Sequence, residues 1–366
     1  MKITAALAVA PHSDFSVETV DLGAPQANEV LVRIAGVGLC HTDLVFRDQF
    51  VPLPLPAVLG HEGAGVVEAV GSAVTDLVPG DTVVLGFSSC GHCPRCAEHL
   101  PSYCREFVPR NYAGARPDGT SPISRDGSAV TAVFFGQSSF ASHAIADRRN
   151  VVKVAAGDDL AIMGPLGCGL QTGAGAVLRS LDCPAGSTLA VFGGGPVGLA
   201  AVMAARYRGC SRIILVEPVA ARRALGLELG ATDVIDPGEG DVAAAIRALL
   251  PDGVDFAVES SGRVAVMETA LASLASRGAL GLVGVPPRAE DALAINIAGM
   301  ITFGHRVIGI IEGDSDLQGF IPELVALYRA GHFPFDRLIK TYPLAQINEA
   351  VAAQHRGECV KAVLIP

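Results

Sequence analysis

Positive charge is scarce in this chain: 27 Lys and Arg stand against 37 Asp and Glu, a formal net charge of −10. Nucleic acid and anionic membrane both reward a basic face, so neither is an expected partner. Charge of either sign is sparse too, at 17% of residues, while half of the chain is hydrophobic. That balance excludes a disordered chain and fits a tightly packed α/β protein. Long apolar runs are missing as well, and without one there is no candidate transmembrane helix. The opening Met1 to Ala10 carries one basic residue and an apolar stretch interrupted by Thr4. It reads as an ordinary first strand rather than a secretory leader, and a cytoplasmic location is expected. In that setting the nine cysteines read as metal ligands and free thiols, not disulfides. Small molecules remain the natural ligands, and 366 residues favour two domains.

What is present is chemistry-bearing side chains at suggestive spacings. Cys40-His41-Thr42-Asp43 and Gly60-His61-Glu62-Gly63 flank a Pro-rich spacer, and a thiol and an imidazole are the donors that zinc selects. A catalytic zinc takes three protein ligands and keeps one position open, which makes Cys168, in Pro165-Leu166-Gly167-Cys168-Gly169, the candidate third. An isolated cysteine in an apolar run is, however, more often a small buried hydrophobe. Cys90, Cys93, Cys96 and Cys104 follow the spacing C-x2-C-x2-C-x7-C, from which four thiolates can close a tetrahedron: a structural zinc. Iron–sulfur clusters use other spacings. His92 and His99 are expected to be solvated loop residues.

Residues from Lys2 to about Ala155 are dense in Gly and Pro with short β-rich runs at 29–34, 65–70 and 80–85, the pattern of a small β-barrel-like domain. From Ser187 strand and helix alternate regularly. Strands are expected at 189–192, 213–216, 234–235, 255–258, 280–283 and 307–310, with helices at 197–208, 219–229, 241–249 and 264–275. Such buried β-branched runs indicate a doubly wound parallel sheet. The first strand runs into Gly193-Gly194-Gly195-Pro196-Val197-Gly198, a G-x-G-x-x-G at Gly193, Gly195 and Gly198, with Glu217 ending the next strand. The glycines bring backbone N–H groups to a pyrophosphate. Glu217 can accept from both ribose hydroxyls and opposes a 2′-phosphate, which favours NAD over NADP. Arg222 could receive such a phosphate, as could Arg223; a solvated helix face is the expected setting of both.

The metal pair, the four-cysteine loop and the glycine fingerprint together make the chain resemble the zinc-dependent medium-chain alcohol dehydrogenases over essentially its whole length. Residues 40–49 and 165–175 are similar to the aryl-alcohol (benzyl alcohol) dehydrogenase branch, which includes enzymes of monoterpenoid allylic alcohols such as geraniol. The resemblance implies a GroES-like β-rich catalytic domain at 1–158 and 313–366, a Rossmann cofactor domain at 159–312, and an active site in the cleft between them. It implies two zinc ions per chain and NAD. Cys40, His61 and Cys168 would hold the catalytic ion, with Glu62 entering its shell transiently and Asp43 holding His61. Thr42 would carry the substrate's hydroxyl proton through the nicotinamide ribose. Many relatives end that relay on a histidine where this chain has Val45, so it would end on ribose and water or through His41. His41 and Lys361 match positions near the cofactor pyrophosphate, Thr172 and Val197 positions at the nicotinamide, and Pro196 lies in the fingerprint. Val51, Phe134 and Phe135 fall where the family lines its substrate pocket, and with Phe50 and Phe87 they point to an apolar substrate. The implied reaction is reversible hydride transfer between a primary aromatic or allylic alcohol and NAD. Glutathione-dependent formaldehyde oxidation is the alternative within the enzyme class, and a nucleotide- and zinc-binding protein without turnover the alternative outside it. A homodimer or homotetramer is implied. Cys183, Cys210 and Cys359 are read as ordinary thiols.

Overall fold

The computed structural model describes every residue except Ala156, Asp158 and Ala289. The domain division expected at 158/159 falls on Asp158, outside the described residues. Contacts divide the chain into two units: 1–168 with 316–326 and 336–366, and 169–315 with 327–335.

The first unit is built on curled β-sheets. The expected first strand forms as Lys2–Ala8 and pairs antiparallel with Ser16–Leu22. A seven-stranded sheet carries the site: Val151–Lys153, Thr82–Leu85, Gly63–Val70, Glu29–Gly38, Lys361–Ile365 and Ile339–Pro343 in order, with His143–Asp147 pairing Glu29–Gly38. Val363 lies opposite Gly38 in this sheet, so the last strand of the chain is brought beside the segment that leads into Cys40. Within it Gly65 lies so close to the Arg33 carbonyl that no Cβ could be accommodated.

The second unit holds a six-stranded sheet ordered Asp233–Ile235, Arg212–Val216, Thr188–Phe192, Val254–Glu259, Leu274–Leu282 and Arg306–Gly309. Every pairing in it is parallel. Phe192, Ile214, Val216, Ile246 and Leu280 pack into one buried cluster, each contributing about 1.5–3 kcal/mol by leaving water. All six expected strands are present, but the helix expected over 264–275 ends at Ala272, and a strand begins at Leu274. No Gly or Pro marks this boundary. Leu274 is taken by parallel pairing with Val254, a long-range contact that overrides local helix propensity.

Candidate metal and cofactor sites

Cys40 caps the helix His41–Arg47, and Asp43, its third residue, reaches back to accept from the Cys40 N–H at 3.0 Å. The same carboxylate accepts from Gly60 N at 3.0 Å and bonds His61 Nδ1 at 2.9 Å. One helix-capping acid thus ties the thiol segment to the imidazole segment. With its proton assigned to Nδ1, His61 is left with a lone pair on Nε2, a buried atom without a hydrogen-bond partner. Cys40, His61, Glu62 and Cys168 bring their ligand atoms within 4.8 Å of one another. Two sulfurs and an orphaned imidazole nitrogen fit a zinc ion.

Burial disfavours a charged His61, yet Asp43 and Cys40 outweigh it and raise the imidazole well above its usual value, so an ion bound at Nε2 would take the place of the second proton. The Cys168 thiol, with His61 and Lys361, draws Cys40 well below the usual thiol range against the effect of burial. Glu62 is wholly buried, and burial raises its carboxyl even against the adjacent ammonium of Lys361. That ammonium lies 2.5 Å from Glu62 Oε2 and donates to the Leu39 carbonyl at 3.1 Å. The structure therefore places Lys361 in an interior ion pair, 2% exposed. Gly38 makes room for this pair, since a Cβ there would lie 1.9 Å from Glu62 Oε2.

Thr42 is half-buried with its hydroxyl 3.7 Å from the Cys40 sulfur, while His41 is exposed. Val45 and Val51 are half-buried and Phe50 is exposed. Phe134 and Phe135 are buried around His61, with Phe134 edge-on at 5.5 Å and Phe135 stacked at 4.6 Å between ring centroids. Phe87 is buried against Phe107. The Phe134–Phe135 segment is strained: Val133, Phe135 and Ser138 have φ of 65°, 49° and 58°, and side-chain-bearing residues in such conformations cost on the order of 1–3 kcal/mol each.

In the second cluster Cys90, Cys93, Cys96 and Cys104 converge, with sulfur separations of 4.0 Å for Cys90–Cys96, 3.7 Å for Cys93–Cys96 and 4.0 Å for Cys93–Cys104. A tetrahedron with zinc–sulfur arms of about 2.3 Å has edges of about 3.8 Å, so the donors are already at zinc spacing. Backbone N–H groups of Cys90 and Glu106 donate to Cys104, and that of Cys93 to Cys90. His92 is exposed beside the cluster. His99, expected to be solvated, is exposed but bonds Asp316 at 2.9 Å. Cys183, Cys210 and Cys359 lie outside both clusters.

In the second unit Gly195 caps the helix Pro196–Arg208, with Pro196 and Val197 in its first turn. Gly193 has φ of 104°, and a Cβ on Gly198 would stand 1.8 Å from the Gly193 carbonyl oxygen. These two positions require glycine for the turn and for close helix packing. Glu217 is buried beside them and accepts from Gly194 N at 2.5 Å and Val219 N at 2.8 Å, so its carboxylate is fixed before any ligand arrives. Arg222 is half-buried. Arg223 is not a solvated residue: it donates to the Glu217 and Pro218 carbonyls and pairs with Asp236 at 2.9 Å, which fixes the corner after the strand. Thr172 is buried in the helix Gly169–Gly175.

Sequence reasoning passed over three supports. Gln137 accepts from Gly63 N and donates to the His61 carbonyl, bracketing the His61 backbone. Ser260 donates to the Phe192 carbonyl at 3.0 Å, beneath the glycine turn. Glu259, its carboxyl raised by burial, accepts from the N–H groups of Ser261 and Gly262. The usable signal for the last two was position, an acid and a serine at the carboxyl end of a parallel strand. Gln137 left none.

Residues 26–156 match the alcohol dehydrogenase GroES-like domain and residues 196–326 the zinc-binding dehydrogenase domain. The chain is 50% identical over 355 residues to a geraniol dehydrogenase of Castellaniella defragrans, covering 96% of this chain and 94% of that one. A crystal structure of an alcohol dehydrogenase zinc-binding domain protein from Burkholderia ambifaria superposes with a TM-score of 0.98 at 50% identity, over 100% of this chain and 99% of that one. Benzyl alcohol dehydrogenase from Acinetobacter calcoaceticus superposes with a TM-score of 0.97 at 40% identity, with the same coverage.

Proposed function

The chain belongs to the zinc-dependent medium-chain alcohol dehydrogenases, enzymes that use zinc and a nicotinamide cofactor, and we propose that it interconverts primary aromatic or allylic alcohols and their aldehydes with NAD. The observation that carries the reading is the convergence of Cys40, His61 and Cys168 around the unpartnered Nε2 of His61. Similarity to proteins named geraniol and benzyl alcohol dehydrogenase supports the substrate class.

We assign Cys40, His61 and Cys168 as ligands of a catalytic zinc and the four-cysteine loop as the seat of a second, structural zinc. The first ion would supply a Lewis acid that acidifies an alcohol, and NAD would accept the hydride. Asp43 fixes the His61 tautomer and, through the Cys40 N–H, the geometry of the thiol segment. Thr42 Oγ1, on the first turn of the same helix, takes the hydroxyl proton. Val45 cannot receive it, so water or His41 would be the onward acceptor, with the ribose of a bound nucleotide as the other carrier. Glu62 stands near the ligand atoms, with Lys361 as its counter-ion. Gly193, Gly195 and Gly198 seat the pyrophosphate, and the amide-anchored Glu217 favours NAD over NADP because a 2′-phosphate would meet its fixed negative charge. A homodimer or homotetramer is the proposed assembly, formed through the exposed edge strand Arg306–Gly309 and its apolar neighbours Ile297, Ile301 and Phe303.

An activity panel tests this: NAD and NADP, each against benzyl alcohol, geraniol, ethanol and S-(hydroxymethyl)glutathione. The expected result is turnover of the first two alcohols with NAD. Turnover of the glutathione adduct alone would replace this substrate class, and no turnover by protein carrying two zinc ions would favour a binding protein.

A further inference from the structure

The loop Val133–Ser139 is strained where nothing in its own sequence requires strain, and its second half is tied to the segment that carries His61. Val133, a β-branched residue, and Phe135 both hold left-handed φ, and Gly136 between them and Ser138 has φ of 70°. Ser138 Oγ donates to the Val58 carbonyl at 2.6 Å and accepts from Phe134 N at 2.9 Å, closing the turn. Gln137 brackets His61 by accepting from Gly63 N at 3.0 Å and donating to the His61 carbonyl at 2.9 Å. Within this frame the Phe135 ring lies on the His61 ring at 4.6 Å with an interplanar angle of 27°. Tyr112 and Phe134 back the Phe135 ring, at 5.4 Å and 4.9 Å.

Asp43 bonds His61 at a single atom, Nδ1. A single hydrogen bond sets a distance and a tautomer but leaves the ring free to rock about that bond, which would swing Nε2. A face-to-face neighbour removes that freedom. Resting on the reading of Cys40, His61 and Cys168 as zinc ligands, we infer that Phe135, with Gln137 holding the backbone, is a positioning residue that fixes the plane of the His61 ring and so the direction of its Nε2 lone pair. The left-handed backbone at Val133 and Phe135 carries the ring to this position against His61. This role differs from lining the substrate pocket, which would be felt through the alcohol.

The test compares Phe135→Leu, which removes the ring face, with Phe135→Tyr, which keeps it. The purified holoenzymes are challenged with a chelator, and their cobalt-substituted forms are examined by visible absorption. The expected result is that Phe135→Leu loses one of its two zinc ions about tenfold faster than the parent, with shifted cobalt bands. Phe135→Tyr stays within about twofold of the parent, the rescue that attributes the loss to the missing ring face. Phe135→Met, similar in volume but without a ring, serves the same comparison if the leucine variant does not fold. Metal release and cobalt bands unchanged in the ringless variants, with the effect confined to KM for the alcohol, would overturn the proposal in favour of a pocket role. A parent enzyme holding only one zinc would overturn the ligand assignment, and the proposal with it.

Discussion

Asp43 shows how much one side chain can organise: it joins the N-cap of its own helix, the Gly60 amide and the His61 ring, and so holds two donors from separate segments in register. Cys168 enters from a third segment as a single atom, and its replacement is therefore the cleanest test of the set. Serine is nearly isosteric but does not ionise as a thiol does, and one zinc should be lost. Cys168→Ser is expected to hold one zinc per chain by metal analysis and to lose activity by at least about 100-fold, more than the loss on removing an outer support. NADH affinity, followed by nucleotide fluorescence, should stay within about twofold. Equal loss of NADH binding would contradict the assignment. At this scale residue type and spacing made Cys40, His61 and the four-cysteine loop legible, because few other uses explain a thiol or imidazole in such company. Cys168 was not legible from its neighbours alone, since a buried apolar setting suits an inert thiol equally. The Lys361–Glu62 pair was hidden for a different reason: it exists only because antiparallel pairing lays the last strand beside Gly38.

Elements place these residues, and the strand–turn–helix of the cofactor fingerprint does so with least tolerance. A methyl group on Gly198 would stand 1.8 Å from the Gly193 carbonyl oxygen and 3.1 Å from Ser260 Oγ, and backbone cannot yield as a flexible side chain can. Overpacking of this kind costs about 1–3 kcal/mol. In Gly198→Ala the turn must shift, and the expected reading is a roughly tenfold or greater rise in the Kd for NADH with both zinc ions retained. An unchanged Kd would show that the turn is not the pyrophosphate seat. The fingerprint was readable because glycine spacing is itself the stereochemical requirement, and the parallel strands because burial on both faces leaves continuous β-branched runs. The loop Val133–Ser139 was not readable. Its conformation is imposed by Val58, Gly63 and His61, far away in sequence, against the preferences of Val133 and Phe135.

For the whole molecule, the sequence-wide deficit of charge becomes informative where it meets an open edge. Arg306–Gly309 is the edge of the six-stranded sheet, the last strand in its order. Proteins usually protect such edges with charge, proline or a covering element. Here the edge strand carries one exposed charge, Arg306, while the flanking helix Ile297–Phe303 exposes Ile297 at 73% and Ile301 at 77%. A second copy meeting this face about a two-fold axis would pair the edges and cover both apolar helices at once, because such an interface is self-complementary. The same symmetry makes a single substitution count twice. In Ile301→Glu two carboxylates would have to leave water where two isoleucines are covered, a cost of several kcal/mol for each charge without a partner. Light scattering of the parent should give at least twice the chain mass of 37.5 kDa, and Ile301→Glu should give the chain mass itself. Both zinc ions and NADH binding should persist, since Ile301 touches neither cluster nor fingerprint. A monomeric parent would remove the proposed assembly, and an Ile301→Glu variant that keeps the parent's mass would move the interface to another face.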